Sequence, residues 1–328
     1  MYAVINGRME NRMKIVFLDA LTLGEDVDLS RFSELGETVI YPTTPIDAVS
    51  ERVKDCNVIV TNKMKLGADN LSEAESLELI CVTATGYDNI DLEFARERGI
   101  GVCNVVGYST NSVAQITVAS VLSLCTSMLE YRSYVADGRY TKSGVANVLT
   151  PVYHELEGKT WGIVGFGNIG KRVGRIAEAL GCKLLVNKRE AIDGYECVDI
   201  DSLCERSDII TVHTPLNDAT RGLINAERIN KMKDGVVIVN MARGAVTDER
   251  AIADFVKNGK IGGFASDVYS TEPFGEEHPF YEIKDKPNVC LTPHMAWGAY
   301  EARVRLCDEV WQNIESYLLG GSRNRVEK

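Results

Sequence analysis

The chain has 328 residues, of which 45% are hydrophobic and 25% charged, the balance of a globular protein with material for about two domains. A formal net charge of −11 sets aside nucleic acid and acidic membrane surfaces as main partners, because sequence-independent attraction to phosphates needs a basic face. Nine cysteines, an odd count with no CxxC spacing, set aside a disulfide framework and a zinc ribbon. They read as reduced, mostly buried thiols of a cytoplasmic protein without a metal site.

Residues 1–12 read as a polar N-terminal extension without the apolar stretch of a signal peptide, and no later run approaches the roughly 18 apolar residues of a membrane span. Strand character begins at Lys14, and Met13 could itself be a start. From there short β-rich runs alternate with longer amphipathic ones, the pattern of parallel sheets covered by helices. A first series holds KIVFLDA (14–20), ETVIYP (37–42), VIVTNK (58–63), LICVTAT (79–85) and GVCNV (101–105). Its loops carry Asn62, Lys63, Thr85 and Gly86.

Residues 110–137 place Val113, Ile116, Val121, Leu124 and Met128 at near-helical spacing behind the capping candidates Thr110 to Ser112. The pattern fits a long helix bridging two domains and fits one buried core helix equally well. A second series follows: TWGIVG (160–165), KLLVNK (183–188), DIITVHTP (208–215), VVIVNMA (236–242), GGFASDV (262–268) and NVCLTPH (288–294). After each strand comes a loop of chemically active residues, the placement expected where ligands bind at the carboxyl ends of parallel strands. The segment 298–321 carries Val304, Val310, Trp311, Ile314, Tyr317 and Leu318 near one helical stripe, ends in Gly-Gly, and is expected to pack back on the first domain.

Gly165-Phe166-Gly167-Asn168-Ile169-Gly170 follows an apolar strand and opens a helix with Ile169, Val173, Ile176 and Leu180 on one face. Glycines are needed there for the tight turn, for close approach of a pyrophosphate and for helix-on-sheet packing, so a dinucleotide is the expected ligand. A domain that prefers NAD places Asp or Glu about 20 residues beyond this loop to bind the ribose 2'-hydroxyl. Here the position falls on Lys188, followed by Arg189. Both cations suit a 2'-phosphate, which a carboxylate would repel, so NADPH is the expected preferred cofactor, with NADH still used. The alternative turns both side chains to solvent and slides Glu190 into the ribose position.

A bound nicotinamide implies hydride transfer, and reduction of a carbonyl also needs a proton donor. Of four histidines, His154 and His278 lie in polar loop sequence and are expected to be solvated. His213, ahead of Thr214-Pro215, suits the cofactor cleft as well as chemistry. His294 closes the last strand of the second series. Glu272, in the loop after the neighbouring strand, could reach the far nitrogen of that ring, fix its tautomer and favour its protonated form. Arg243, after another strand and beside Gly244, suits a bidentate grip on a substrate carboxylate.

GFGNIG, VHTPLNDAT, NMARGAVTDE, DVYSTEP and TPHMAW, in this order and spacing, resemble the D-isomer-specific 2-hydroxyacid dehydrogenase family, from Met13 to about Val326. Within it, ATGYDNIDLEFARERGIGVCNVVGYSTNSVAQ and HMAWGAYEARVRL most resemble glycerate dehydrogenases, also called hydroxypyruvate reductases, which also match Gln115 where the wider family often has glutamate. The resemblance implies an α/β fold of two Rossmann-like, doubly wound parallel-sheet domains with an active-site cleft between them. The substrate domain would be discontinuous, 13–109 plus 297–328, and the dinucleotide-binding domain 110–296. Arg243, Glu272 and His294 would be the catalytic set, with Asp267 near the nicotinamide end.

Cofactor contacts are then expected from the glycine loop, Lys188 and Arg189, from Thr110, His213, Thr214, Pro215 and Thr220, and from Met241, Ala242, Arg243, Asp267 and His294. Substrate contacts are expected from Lys63, Thr85, Gly86, Arg243, His294 and Trp297. The implied activity is NAD(P)H-dependent reduction of a small 2-oxoacid, hydroxypyruvate or glyoxylate, to the D-2-hydroxyacid, with the reverse oxidation, by a homodimer. Alternatives are a D-lactate or branched 2-oxoacid reductase and, in another class, a dinucleotide-sensing corepressor-like binding protein. Two departures from the family pattern stand out: Met241 replaces a smaller residue, and the acid after the second strand is missing.

Overall fold

A computed structural model describes residues 13–188 and 190–328, so the extension 1–12 and Arg189 lie outside the described residues. The chain divides into two compact units, 13–109 with 298–328, and 110–297. Trp297 falls in the second unit, where it packs partly buried against that unit's core.

In the first unit β1 (Lys14–Phe17), β2 (Glu37–Ile40), β3 (Val58–Thr61), β4 (Leu79–Val82) and β5 (Gly101–Cys103) form a parallel sheet in the order β2-β1-β3-β4-β5. Central strands β3 and β4 are buried at every residue, as continuous apolar runs covered on both faces should be. Edge strand β2 shows partial and full exposure instead. The C-terminal helix Tyr300–Leu318 packs on β4 and buries Ala302, Leu306, Val310 and Ile314, every fourth residue, with Cys307 and Trp311 alongside. Leu318, placed on that stripe by the sequence, is the last residue of the helix and 40% exposed. Residues 324–327 then run beside β5: Val326 N–H donates to Val102 O at 2.9 Å and Val102 N–H to Glu327 Oε2 at 2.9 Å, which covers the sheet edge.

In the second unit β6 (Thr160–Val164), β7 (Lys183–Asn187), β8 (Ile209–Val212), β9 (Val236–Asn240), β10 (Ile261–Ser266) and β11 (Val289–Leu291) form a parallel sheet in the order β11-β10-β9-β8-β6-β7. A lone bridge between Val186 and Cys197 stands beyond β7. It stands in the place of a third strand, and with it the order is that of the dinucleotide-binding fold, whose direction of progression reverses between β6 and β8. Each strand ends before its apolar run in the sequence does, because the last residues of each run turn out into the loops that carry the site.

The segment 110–137 corrects both expectations for it. It is two helices, Thr110–Cys125 and Met128–Ala136, bent by 67° around Ser127, whose φ of 49° is left-handed. The first buries Val113, Ala114, Val118 and Val121, whereas the second buries no residue. No single helix among the described residues is long and apolar enough to cross a membrane.

Candidate active site

The glycine loop leaves β6 at Gly165, whose φ is 89°. A Cβ there would lie 2.7 Å from Thr214 N and 2.8 Å from His213 C, and one at Gly170 would lie 2.3 Å from Gly165 O, so both positions are closed to larger residues. Gly167 differs: a Cβ would meet nothing within 4 Å, and the residue caps the helix Asn168–Ala179 without a side-chain bond. Open space therefore stands before the first-turn amides opened by Asn168 and Ile169, the fit a pyrophosphate requires.

His213 N–H donates to Val164 O at 2.7 Å, which sets the residue beside this turn. Both ring nitrogens are buried without a hydrogen-bond partner among the described residues. Burial pushes its pKa down from the ordinary 6.5 to about 3, so the ring is neutral. Orphaned polar atoms next to an open glycine cradle are what a ligand's polar groups would satisfy. Thr220, in contrast, uses its hydroxyl on the turn, donating to Pro215 O at 2.7 Å and accepting from Asn217 N at 2.8 Å. Lys188 is exposed directly after β7.

Arg243 follows β9 in a loop held by Asn240, which is fully buried: Asn240 Oδ1 accepts from Ala242 N at 3.0 Å and Nδ2 donates to Arg243 O at 2.9 Å. Arg243 Nη1 donates to Ala242 O at 2.8 Å. Met241, expected as a cofactor contact, is 8% exposed and packs in the core with Phe166 and Val173, which accounts for its size.

After β11, Thr292-Pro293 leads into His294, whose φ of 54° is rare for a side-chain-bearing residue and costs on the order of 1 kcal/mol. Asp267 sustains that turn. Oδ1 accepts from Thr292 Oγ1 at 2.6 Å and Met295 N at 2.8 Å, and Oδ2 from Ala296 N at 2.8 Å. Burial raises its pKa although these bonds pull the other way. Asp267, expected near the cofactor, holds the loop of His294 with both of its oxygens.

That loop brings His294 Nδ1 to 2.6 Å from Glu272 Oε2, with side chains 23% and 31% exposed. Tyr269 N–H donates to the other carboxylate oxygen, Oε1, at 3.0 Å. The carboxylate thus fixes Nδ1–H, and His294 Nε2, without a partner among the described residues, is the nitrogen available for proton transfer. Arg243, Glu272 and His294 all sit at carboxyl ends of strands in the second unit, as does the glycine loop.

In the first unit Asp19, 8% exposed, stands at the carboxyl end of β1 and accepts the amides of Asn62 at 2.9 Å and Lys63 at 2.7 Å. It fixes the backbone of the Lys63 loop, while the Lys63 residue itself is exposed. Thr85 Oγ1 donates to Val105 O at 2.8 Å, and Asn104 Nδ2 to Thr85 O at 2.7 Å, which shape the turn into Gly86. Asp19 was missed; an acid directly after a strand in KIVFLDA was its only signal.

His278 is a further correction. It is 7% exposed rather than solvated, with Nε2 at 3.0 Å from Glu249 Oε2 and Nδ1 accepting from Phe280 N at 3.1 Å. His154 is exposed as expected.

Residues 118–296 match the family described as D-isomer specific 2-hydroxyacid dehydrogenase, NAD binding domain. A hydroxypyruvate reductase of Blautia hydrogenotrophica is 36% identical over 325 residues, 96% of this chain and 100% of the relative. A glycerate dehydrogenase of Methylorubrum extorquens is 35% identical over 315 residues, 96% of this chain and 99% of its own. Among solved structures, the NADPH-dependent glyoxylate/hydroxypyruvate reductase of Sinorhizobium meliloti, in complex with NADP and malonate, aligns with a TM-score of 0.83 at 26% identity, covering 96% of this chain and 97% of that one.

Proposed function

The chain belongs to the D-isomer-specific 2-hydroxyacid dehydrogenase family, whose members are NAD(P)-dependent oxidoreductases, and on that premise we propose that it reduces hydroxypyruvate or glyoxylate to the D-2-hydroxyacid and catalyses the reverse oxidation. The observation that carries this reading is the 2.6 Å contact between His294 Nδ1 and Glu272 Oε2, on the same strand edge as the glycine cradle. Bound NAD(P)H supplies the hydride that adds to the carbonyl carbon. Arg243 grips the substrate carboxylate and polarises the carbonyl oxygen. As the C=O π pair moves onto oxygen, His294 Nε2 delivers its proton there, and Glu272 stabilises the ring's charged form before transfer. Lys63, Thr85, Gly86 and Trp297 complete substrate binding in this reading.

NADPH is the preferred dinucleotide, with NADH accepted. An exposed Lys188 stands where an NAD-specific domain carries an acid, and a solved relative holds NADP. The enzyme acts as a cytoplasmic homodimer through the segment 122–153, where Met128, Val135, Leu149 and Val152 are 56–76% exposed.

The test is kcat/KM with hydroxypyruvate, glyoxylate, pyruvate and 2-oxoisocaproate, each with NADPH and NADH, in wild type and Lys188→Asp. The two small oxoacids should lead, and Lys188→Asp should move preference toward NADH. Turnover of 2-oxoisocaproate alone would transfer the reading to a branched-acid reductase, and no turnover with any of the four to a binding protein.

A further inference from the structure

Tyr269 touches more of the candidate site than its place in a loop suggests. Its N–H donates to Glu272 Oε1 at 3.0 Å, while its phenol donates to Thr292 O at 2.8 Å. That carbonyl also accepts the N–H of His294, at 3.0 Å, and so belongs to the turn that gives His294 its left-handed backbone. One residue therefore contacts the carboxylate with its peptide and the histidine turn with its side chain. Arg243 is tied to the same point, because a Cβ on the adjacent Gly244 would lie 2.1 Å from Tyr269 C and 2.2 Å from Ser270 N. Only glycine lets the arginine loop rest on this peptide.

The peptide is held in turn by a buried pair outside the chemistry. Ser270 N–H donates to Glu249 Oε1 at 2.8 Å, Ser270 Oγ donates to Glu249 Oε2, and His278 Nε2 lies 3.0 Å from the same oxygen. His278 Nδ1 accepts from Phe280 N at 3.1 Å, which assigns the ring proton to Nε2 and makes His278 the donor. The Tyr269 ring lies edge-on to Phe274, with centroids 4.6 Å apart, which limits its rotation.

We propose that Tyr269 is the positioning residue of this site: its peptide and phenol set Glu272 and the His294 turn relative to each other, and the Glu249–His278 pair holds its peptide in place. The proposal rests on the acid–base reading of His294 given above. Hydrogen-bond geometry at a proton donor governs rate steeply, so a small displacement of the ring lowers kcat without disturbing a cofactor bound elsewhere on the strand edge. Burial supports the role, raising the phenol pKa so that it stays a donor.

The test is Tyr269→Phe in the full chain, which keeps the ring and the N–H and deletes the donor to Thr292 O. We expect kcat to fall roughly tenfold with the NADPH dissociation constant, by fluorescence titration, within about twofold of wild type. In a Glu272→Gln background the same substitution should cost about twofold or less, since the geometry it protects is already lost. With four histidines in the chain, long-range proton–nitrogen spectra resolve each ring: the His294 signals should move and the His278 signals hold. A drop in melting temperature with unchanged kcat, additive effects in the double variant, or unmoved His294 signals each overturn the proposal. If wild type turns over no 2-oxoacid, the functional reading falls, and the His294 signals of the substrate-free protein still decide the positioning.

Discussion

His294 and His278 are each paired with a glutamate, at 2.6 and 3.0 Å, in loops at the same end of one sheet. The difference lies in the second nitrogen. His278 gives Nε2 to Glu249 and uses Nδ1 to accept from Phe280 N, with both side chains below 10% exposure. His294 gives only Nδ1 to Glu272, and the side chains of this pair are more than three times as exposed, at 23% and 31% against 7% and 9%. A ring with both nitrogens engaged is a bracket. A ring with one engaged is oriented and still able to transfer a proton, so the partner count, rather than the presence of a carboxylate, separates scaffold from chemistry.

The sharpest way to break this comparison is to remove the proton donor. His294→Gln should lower kcat for 2-oxoacid reduction by roughly two to four powers of ten, with cofactor affinity retained. Near wild-type turnover would take His294 out of the role. Glu272→Gln comes next, at roughly tenfold to a hundredfold in kcat, because an amide has one acceptor oxygen where the carboxylate uses two, for Tyr269 N–H and His294 Nδ1–H, and cannot counter the positive charge of the ring. An unchanged rate in that variant would make the Glu272 pair as structural as the Glu249 pair.

His278→Leu should reverse the pattern. Removing a donor from buried Glu249 should cost about 1–3 kcal/mol of stability, read from urea midpoints, while kcat falls only severalfold through the Tyr269 peptide. A variant of normal stability and strongly reduced kcat would mean that the two histidines have been assigned the wrong way round.

Much of this was legible in the sequence where the signal is local. The eleven strands among the described residues show as short apolar runs, the dinucleotide loop shows in the spacing of Gly165, Gly167 and Gly170, and Arg243, Glu272 and His294 each follow such a run. Structure set by distant partners was not legible. His278 reads as solvated because its neighbours in sequence are polar, and it is buried by a glutamate 29 residues away. Tyr269 carries no pattern at all, since its role comes from Thr292, 23 residues on. The bend at Ser127 escaped because apolar spacing continues across it and only the backbone angle breaks. The burial of Met241 was not legible either, since its place in a motif says nothing of the core cluster it joins.

His213 supplies the third case and the smallest effect: a ring with neither nitrogen engaged among the described residues. Burial without a partner disfavours the charged form, and the folded pKa falls from 6.5 to about 3. The unfolded chain takes up this proton near 6.5, while the folded chain refuses it until about 3. Across that window the unfolded state binds more protons, so stability falls as pH falls, and above it the ring contributes no pH dependence. The limit is about 1.4 kcal/mol per pH unit, and partial exposure of the residue lowers it. Between about pH 7 and about pH 5.5 wild type should therefore lose about 1 kcal/mol more than His213→Leu, measured by urea denaturation of the cofactor-free protein. Parallel losses in the two proteins would mean that the His213 ring finds a proton partner or solvent in the folded state, and would remove the distinction between this ring and the two that are paired.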